Sequence, residues 1–354
     1  MQINKGQFRI SSWSERFRFN LRRGQGHLLK YMMNRFRWYY YPRIRYASDF
    51  PNHVDIETSS ACDMRCPMCY TVTDEFKKIV RPKLMDFELF KKIVDECAEN
   101  NVYSIRVSLR GEPFLHPKIL PMIRYAKEKG IPEVATLTNM LKLTPEHFEE
   151  LVDVGMDWLT ISFDGLGETY ERIRKPAKFD EAVEKIKEFK RIKERKNSLK
   201  PVIKIQSVWT YIKDDPEAFY DLFSPLVDEV ASNPEIDFSG DTSNIEYIED
   251  FTCPTLWQRL VIGADGRVLM CINDELTKHS VGNANDQSLR QIWNSESLQT
   301  VRDIHRRRRG AAELEPCKTC IYPRKTNKTE TRVDGRVLEN YEYASKSEEV
   351  LQIR

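Results

Sequence analysis

The fold is decided by residues 53–70, His53-Val-Asp-Ile-Glu-Thr58 running through Ser59-Ser60-Ala61 into Cys62-Asp-Met-Arg-Cys66-Pro-Met-Cys69-Tyr70. His53–Thr58 reads as a strand, and the cysteines follow it directly as C-x3-C-x2-C. Three thiolates within eight residues can ligate one metal centre from a single loop. A four-iron cluster held by only three of them keeps one iron open, whereas a structural zinc site is normally closed by four ligands. A zinc site that borrows a distant fourth ligand is the bland alternative on spacing alone.

Downstream of this loop the pattern alternates strand and helix. Val102–Leu109, Val134–Thr138, Trp158–Phe163 and Val202–Trp209 read as strands. Phe87–Glu99, Lys118–Lys129, Pro145–Val154 and Asp180–Lys196 read as helices, with Pro216–Val230 as another and Glu235–Ser239 as a sixth strand. Repeated β-then-α units imply an α/β fold with a parallel sheet and right-handed crossovers, here a partial (β/α)6 TIM-like barrel. Period-two alternation sorts each strand into faces. Ser104, Arg106, Ser108 and Arg110 share one face, as do Thr160, Ser162 and Asp164, and Lys204 and Gln206. With helices outside, the apolar set faces them and the polar set lines the lumen, which suits a polar ligand.

Four segments follow from the changes in pattern. Residues 1–50 form a basic, aromatic arm, 51–245 the barrel, 246–323 a small cysteine-bearing domain, and 324–354 a polar tail. Of 354 residues, 110 are charged and 40% hydrophobic, a folded and non-fibrous composition. No apolar run approaches a membrane span, and the first 30 residues lack a signal-peptide core, so the expected location is cytoplasmic. There grouped cysteines point to metal or catalysis before disulfides. The net charge of +2 divides unevenly: residues 1–50 hold eleven Lys/Arg against Glu15 and Asp49, so the remainder is acidic.

Further motifs lie in register with the first loop. Gly111-Glu112-Pro113 with Leu115-His116-Pro117 comes after the second strand, Thr138-Asn139 after the third, and Ile161-Ser162-Phe163-Asp164-Gly165, with Tyr170 and Arg172, at the fourth. Together these resemble the radical S-adenosylmethionine (radical SAM) superfamily over about residues 50–322. Two departures are visible: Arg110 stands where the family usually has the first Gly of Gly-Gly-Glu-Pro, and Met68, often aromatic in the family, precedes the third cysteine.

The resemblance implies a chemistry. Cys62, Cys66 and Cys69 would hold a 4Fe-4S cluster whose open iron chelates SAM, and an electron from the reduced cluster would yield a 5′-deoxyadenosyl radical. Gly111, Glu112 and Pro113 would bind the SAM ammonium, and Asn139, Ser162 and Asp164 would meet the ribose, with Met68 beside the cofactor. Strand-end capping is the bland reading of Ser162 and Asp164. Cys253, Cys271, Cys317 and Cys320, with Val281-Gly282-Asn283 and Ile292-Trp293 between them, resemble the SPASM/twitch extensions that hold an auxiliary iron–sulfur cluster. Four cysteines suffice for one fully ligated 4Fe-4S cluster, or for a structural zinc. Their spacing is similar to that of the aminocyclitol-dehydrogenase type within the family.

A closed cluster suits electron transfer, so the implied reaction is hydrogen abstraction from a polar small molecule. A sugar or cyclitol carbinol fits, phosphate- or nucleotide-linked, with the auxiliary cluster accepting the second electron. Lys204, Arg106 or Arg110 would take the proton or hold an anionic group; sequence does not choose among them. Peptide or protein maturation, radical epimerisation, and a non-catalytic metal-binding scaffold remain open alternatives. Cys97 is the only candidate hydrogen donor for an epimerase, but its helical pattern Phe90, Val94, Cys97 reads as core. A flavodoxin- or ferredoxin-type electron donor is implied, with the Arg306–Arg309 run as its docking face or a solvated one. The basic arm packs its aromatics on the barrel, or meets an anionic membrane surface or a phosphate group; nucleic acid is the weakest partner for it.

Overall fold

In the computed structural model, which describes residues 8–235, 245–249 and 251–343, the six strands nearest the N-terminus of the barrel are all parallel. They are β2 (His53–Ile56), β3 (Ser104–Arg106), β4 (Glu133–Thr138), β5 (Trp158–Ser162), β6 (Val202–Val208) and β7 (Glu229–Asn233), in that order across the sheet. β7 and β2 do not pair. A short strand β1 (Phe8–Arg9) covers the β7 edge, and β8 (Arg259–Ile262) runs parallel to β2 at the other. The result is an α/β fold, a partial (β/α)6 barrel whose open side is walled by the C-terminal region. β9 (Arg267–Leu269) and β10 (Ser280–Asn283) continue the sheet antiparallel from β8.

Several helices start at a side-chain cap. α1 (Trp13–Arg23) and α2 (Leu28–Arg43) build the arm, and α3 (Asp74–Ile79) follows the cysteine loop. α4 (Phe87–Glu99) starts at Asp86, whose carboxylate accepts from the amides of Glu88 and Leu89, and buries Phe90, Ile93, Val94 and Cys97. α5 (Ile119–Glu128), α6 (Pro145–Asp153), α7 (Gly167–Ile173), α8 (Phe179–Arg195) and α9 (Pro216–Phe223) complete the outer layer. The apolar strand residues Ile105, Leu159, Ile161, Ile203 and Ile205 are buried against them. The polar set is buried too: Ser104, Thr160, Lys204 and Gln206 are each under 9% exposed, as a lined lumen requires.

Three expectations change. The helix from Pro216 ends at Phe223 instead of reaching Val230, because Glu229–Asn233 pairs with β6 and is itself the sixth strand. The strand placed at Glu235–Ser239 falls almost wholly on residues 236–239, outside the described residues. The polar tail is folded as far as residue 343. β11 (Thr326–Val333) and β12 (Arg336–Tyr343) form an antiparallel hairpin about Asp334-Gly335, both at positive φ, as a two-residue turn demands.

The arm closes the end of the barrel where the strands begin. The Arg23 guanidinium donates twice to the buried Glu133 carboxylate at the start of β4, 2.9 and 2.8 Å, and stacks 4.1 Å from the Trp158 ring at the start of β5. Arg22 pairs with Asp228 just before β7, and Trp38 meets His53, the first residue of β2, edge to face. The cysteine loop leaves the opposite end of β2.

Candidate active site

The loop after β2 is held by the segment after β3. The Glu112 amide donates to the Ala61 carbonyl at 2.8 Å, and Thr58 Oγ1 donates to the Val107 carbonyl at 3.0 Å. Contact is so close at Gly111 that a Cβ would lie 2.3 Å from the Ala61 carbonyl oxygen and 2.5 Å from that of Ser59, so only glycine fits. Cys62 is exposed at the mouth, Cys69 is partly buried, and Cys66 is 7% exposed. Burial pushes the Cys66 thiol up, the Arg174 guanidinium pulls it down, and the neighbouring Cys69 pushes it up again. Three sulfurs from one loop, in mutual electrostatic contact and next to a glycine backbone, fit a cluster with an open position.

Glu112 is buried. Its carboxylate accepts from Thr138 Oγ1 and the Asn139 amide, both at 2.7 Å, and from the Phe114 amide at 3.1 Å. Burial pushes its pKa up to about 7, against the lowering by these hydrogen bonds. Its oxygens therefore organise the end of β4 first. Asn139 Nδ2 donates to Asp63 at 2.8 Å and points at Cys62 Sγ, 3.8 Å away. Asp164, fully buried, forms an ion pair with Arg174 at 2.5 Å and accepts from the Val208 amide at 2.7 Å, and the same guanidinium lies 3.6 Å from Cys66 Sγ. Arg174, not the exposed Arg172 of the motif, connects the β5 end to the cysteine loop. Ser162 lies on the Thr160 and Asp164 face, Pro113 opens a short 3-10 turn, and Met68 packs partly buried against the core.

The three lumen cations differ. Arg106 Nε holds Asp55 at 2.8 Å and its side chain is 29% exposed. Lys204 is buried, its ammonium 5.9 Å from the Trp158 ring centroid. Arg110 is buried and fully paired. Its Nε and Nη2 clasp Glu57 at 2.6 and 2.5 Å, and Nη1 donates to the Glu275 carbonyl and Thr277 Oγ1 at 3.1 and 2.9 Å. With all three nitrogens engaged, Arg110 is a brace between β2 and the C-terminal region, not a base.

Cys253, Cys271, Cys317 and Cys320 line one cavity with Asn273, His305 and Tyr322. Burial pushes each thiol up, and repulsion from its cysteine neighbours adds to it for Cys271, Cys317 and Cys320, the last to about 12. Sulfurs that repel one another across a shared cavity are the donor set a cluster neutralises. Among the described residues no three His, Cys, Asp or Glu side chains are grouped to grip a single ion. Asn273 Nδ2 donates to Cys320 Sγ at 3.2 Å and His305 Nε2 lies 3.5 Å from Cys317 Sγ. Sequence reasoning did not single out Arg174, His305 or Asn273. A histidine with Gly310 packed on its ring, 2.2 Å from where a Cβ would be, is invisible without the fold. The lone Cys97 is fully buried within α4.

The chain matches the family model of the radical SAM superfamily over residues 56–202 and that of the SPASM iron–sulfur cluster-binding domain over 253–321. It is 26% identical to the tungsten-containing aldehyde ferredoxin oxidoreductase cofactor-modifying protein of Pyrococcus furiosus, over 71% of this chain and 83% of that protein. The fold is similar to that of BtrN, crystallised with AdoMet and 2-DOIA, with TM-score 0.53, 17% identity, and 78% and 94% of the two chains covered. It is also similar to Streptococcus suis SuiB bound to S-adenosylmethionine, with TM-score 0.55, 16% identity, and 78% and 74% covered. The chain thus joins a radical SAM domain to a C-terminal SPASM iron–sulfur cluster-binding domain, and its cofactors are iron–sulfur clusters and S-adenosylmethionine.

Proposed function

We propose that Cys62, Cys66 and Cys69 hold the SAM-binding 4Fe-4S cluster, and that Cys253, Cys271, Cys317 and Cys320 close an auxiliary one. Together, the first cluster and SAM supply a 5′-deoxyadenosyl radical that abstracts hydrogen from an unactivated carbon. The protein's part is to orient, to exclude water and to move one proton. Gly111 lets the Gly111–Pro113 backbone reach the SAM ammonium, with Glu112 fixing that segment to β4. Asn139, Ser162 and Asp164 face the ribose. Arg174 bridges Asp164 to Cys66 and keeps the cluster side and the ribose side in one frame.

The substrate is a polar small molecule, a sugar or cyclitol carrying a phosphate or nucleotide, oxidised by two electrons. Lys204 takes the proton or holds an anionic group, and Arg106 serves an anion from its partly exposed position. One observation supports the oxidation: four cysteines line one cavity, enough to ligate a cluster fully, on a domain continuous with the barrel sheet through β8 and braced by Arg110. A fully ligated cluster suits electron acceptance. The fold likeness to BtrN is consistent with it. Peptide maturation is less well served, since α1 and α2 close the far end of the barrel rather than flank the mouth. Epimerisation lacks its donor, with Cys97 sealed in α4.

Anaerobically purified protein should carry about eight irons. Deuterium placed on the carbinol of candidate sugar nucleotides and cyclitols should enter 5′-deoxyadenosine, with one ketone formed per SAM cleaved. A Cys317→Ala variant should cleave SAM yet form no ketone. Zinc in place of the second cluster, or deuterium acquired only from a peptide, would sink the proposal.

A further inference from the structure

The arm carries an interaction surface that the radical chemistry does not use. α1 and α2 bury a few residues against the barrel and present a run of large apolar side chains outward. Inward, Phe19, Tyr31 and Asn34 are buried, and Arg22 and Arg23 pair with Asp228 and Glu133 of the barrel floor. Outward, Trp13, Phe17 and Leu21 stand at four-residue intervals on α1, 74, 51 and 43% exposed, and the first two rings stack at 5.5 Å. On α2, Leu29 is 83% exposed, Met33 54% and Phe36 56%, with the Phe36 ring stacked on Tyr40 at 5.1 Å. Twelve of the sixteen large hydrophobic side chains exposed among the described residues fall within 13–46. Such concentration marks an interaction site, since scattered singles are the norm for a solvated surface.

Charge identifies the partner. Residues 13–46 contain nine Lys/Arg and one acid, Glu15, which is turned inward to Tyr220. Arg18, Lys30, Arg37 and Arg43 are exposed on the same helices as the apolar side chains. A second copy of this chain would set one basic face against another. An anionic bilayer surface satisfies both halves: rings and aliphatic chains enter the headgroup boundary, while long cations lie along phosphates. α2, at sixteen residues, is too short to span and lies in the plane. We propose that the outer faces of α1 and α2 seat the enzyme on anionic lipid, peripherally. This is independent of which substrate the barrel takes.

The full-length, cluster-loaded protein should co-sediment with vesicles containing roughly one-third phosphatidylglycerol and not with pure phosphatidylcholine, and added salt should release it. Trp13 fluorescence should shift to the blue on the anionic vesicles only. Replacing Leu29, Met33 and Phe36 together by Ser should abolish pelleting, and Arg18→Gln with Arg37→Gln should lower the partition constant roughly thirtyfold. Both variants should keep the wild-type visible spectrum and SAM cleavage, which separates lost docking from lost folding. Equal binding to neutral vesicles, or none to either, overturns the proposal. So does a dimer in sedimentation velocity that the triple serine variant dissolves, since that assigns the face to a second copy.

Discussion

At the scale of single residues, the legible part of the site was the part that touches backbone. Gly111 is required because two carbonyl oxygens occupy the space of its Cβ. Gly111→Ala is expected to cost about 1–3 kcal/mol by overpacking and to lower iron bound at the first loop, read by calorimetry and iron assay. Gly130→Ala serves as a comparison, having nothing within reach of its Cβ but a positive φ. What sequence could not reveal was which charges are already spent. Arg110, Glu112 and Asp164 all read as ligand contacts, and each has protein partners that only the tertiary fold supplies. Arg110→Lys keeps the charge but loses the two-pronged grip on Glu57. It should destabilise the loaded enzyme by about 1–3 kcal/mol, measured by anaerobic denaturant unfolding. If Arg110 were instead the base, the same variant would change the pH profile of turnover and leave stability alone.

At the scale of elements, helices with a cap and an apolar stripe, such as Phe87–Glu99, were readable to the residue, because both signals are local. The Pro216 helix was overrun because its end is set by pairing of the next strand with β6, a non-local event. The β11–β12 hairpin was read as part of a polar tail, because its strand faces are largely solvated and carry no apolar stripe. The floor elements predict acid sensitivity. Burial would raise the Asp55 pKa, yet the guanidiniums of Arg106 and Arg259 outweigh it and hold it far below the usual carboxylate range. A depressed folded pKa gives stability that is present above the unfolded value and lost as pH falls below it, here from about pH 5 downward. Burial lowers the pKa of neighbouring His53, so the unfolded chain takes its proton first, a loss of the same sign that begins near pH 6.5. Asp55→Asn should therefore lower stability at neutral pH and flatten its decline in acid, as followed by denaturant midpoints against pH. Removal of the floor anchor by Arg23→Ala, which strands the buried Glu133, should cost about 3–5 kcal/mol in the same measurement.

At the scale of the whole molecule, the C-terminal domain is part of the barrel wall, not a separate bead. Lys92 of α4 donates to the carbonyls of Ala284, Asn285 and Gln287, and Glu96 accepts from the Leu289 amide. Glu57 takes the Ala264 amide together with Arg110. Lys92→Met should loosen this seam, raising amide exchange across 284–289 while leaving β4–β6 protected. Among the described residues no helix is long and apolar enough to cross a membrane.

The pairing of β2 with β8 also sets a schedule. Asp55 waits for Arg259, 204 positions later in the chain. At a synthesis rate of about 5–20 residues per second that interval is roughly 10–40 s. Through it the strand that leads into Cys62, Cys66 and Cys69 has one bare edge, and the loop lacks the wall that later shelters it. The loop proposed to hold iron thus leaves the ribosome uncovered, long before the strand that encloses it has been made.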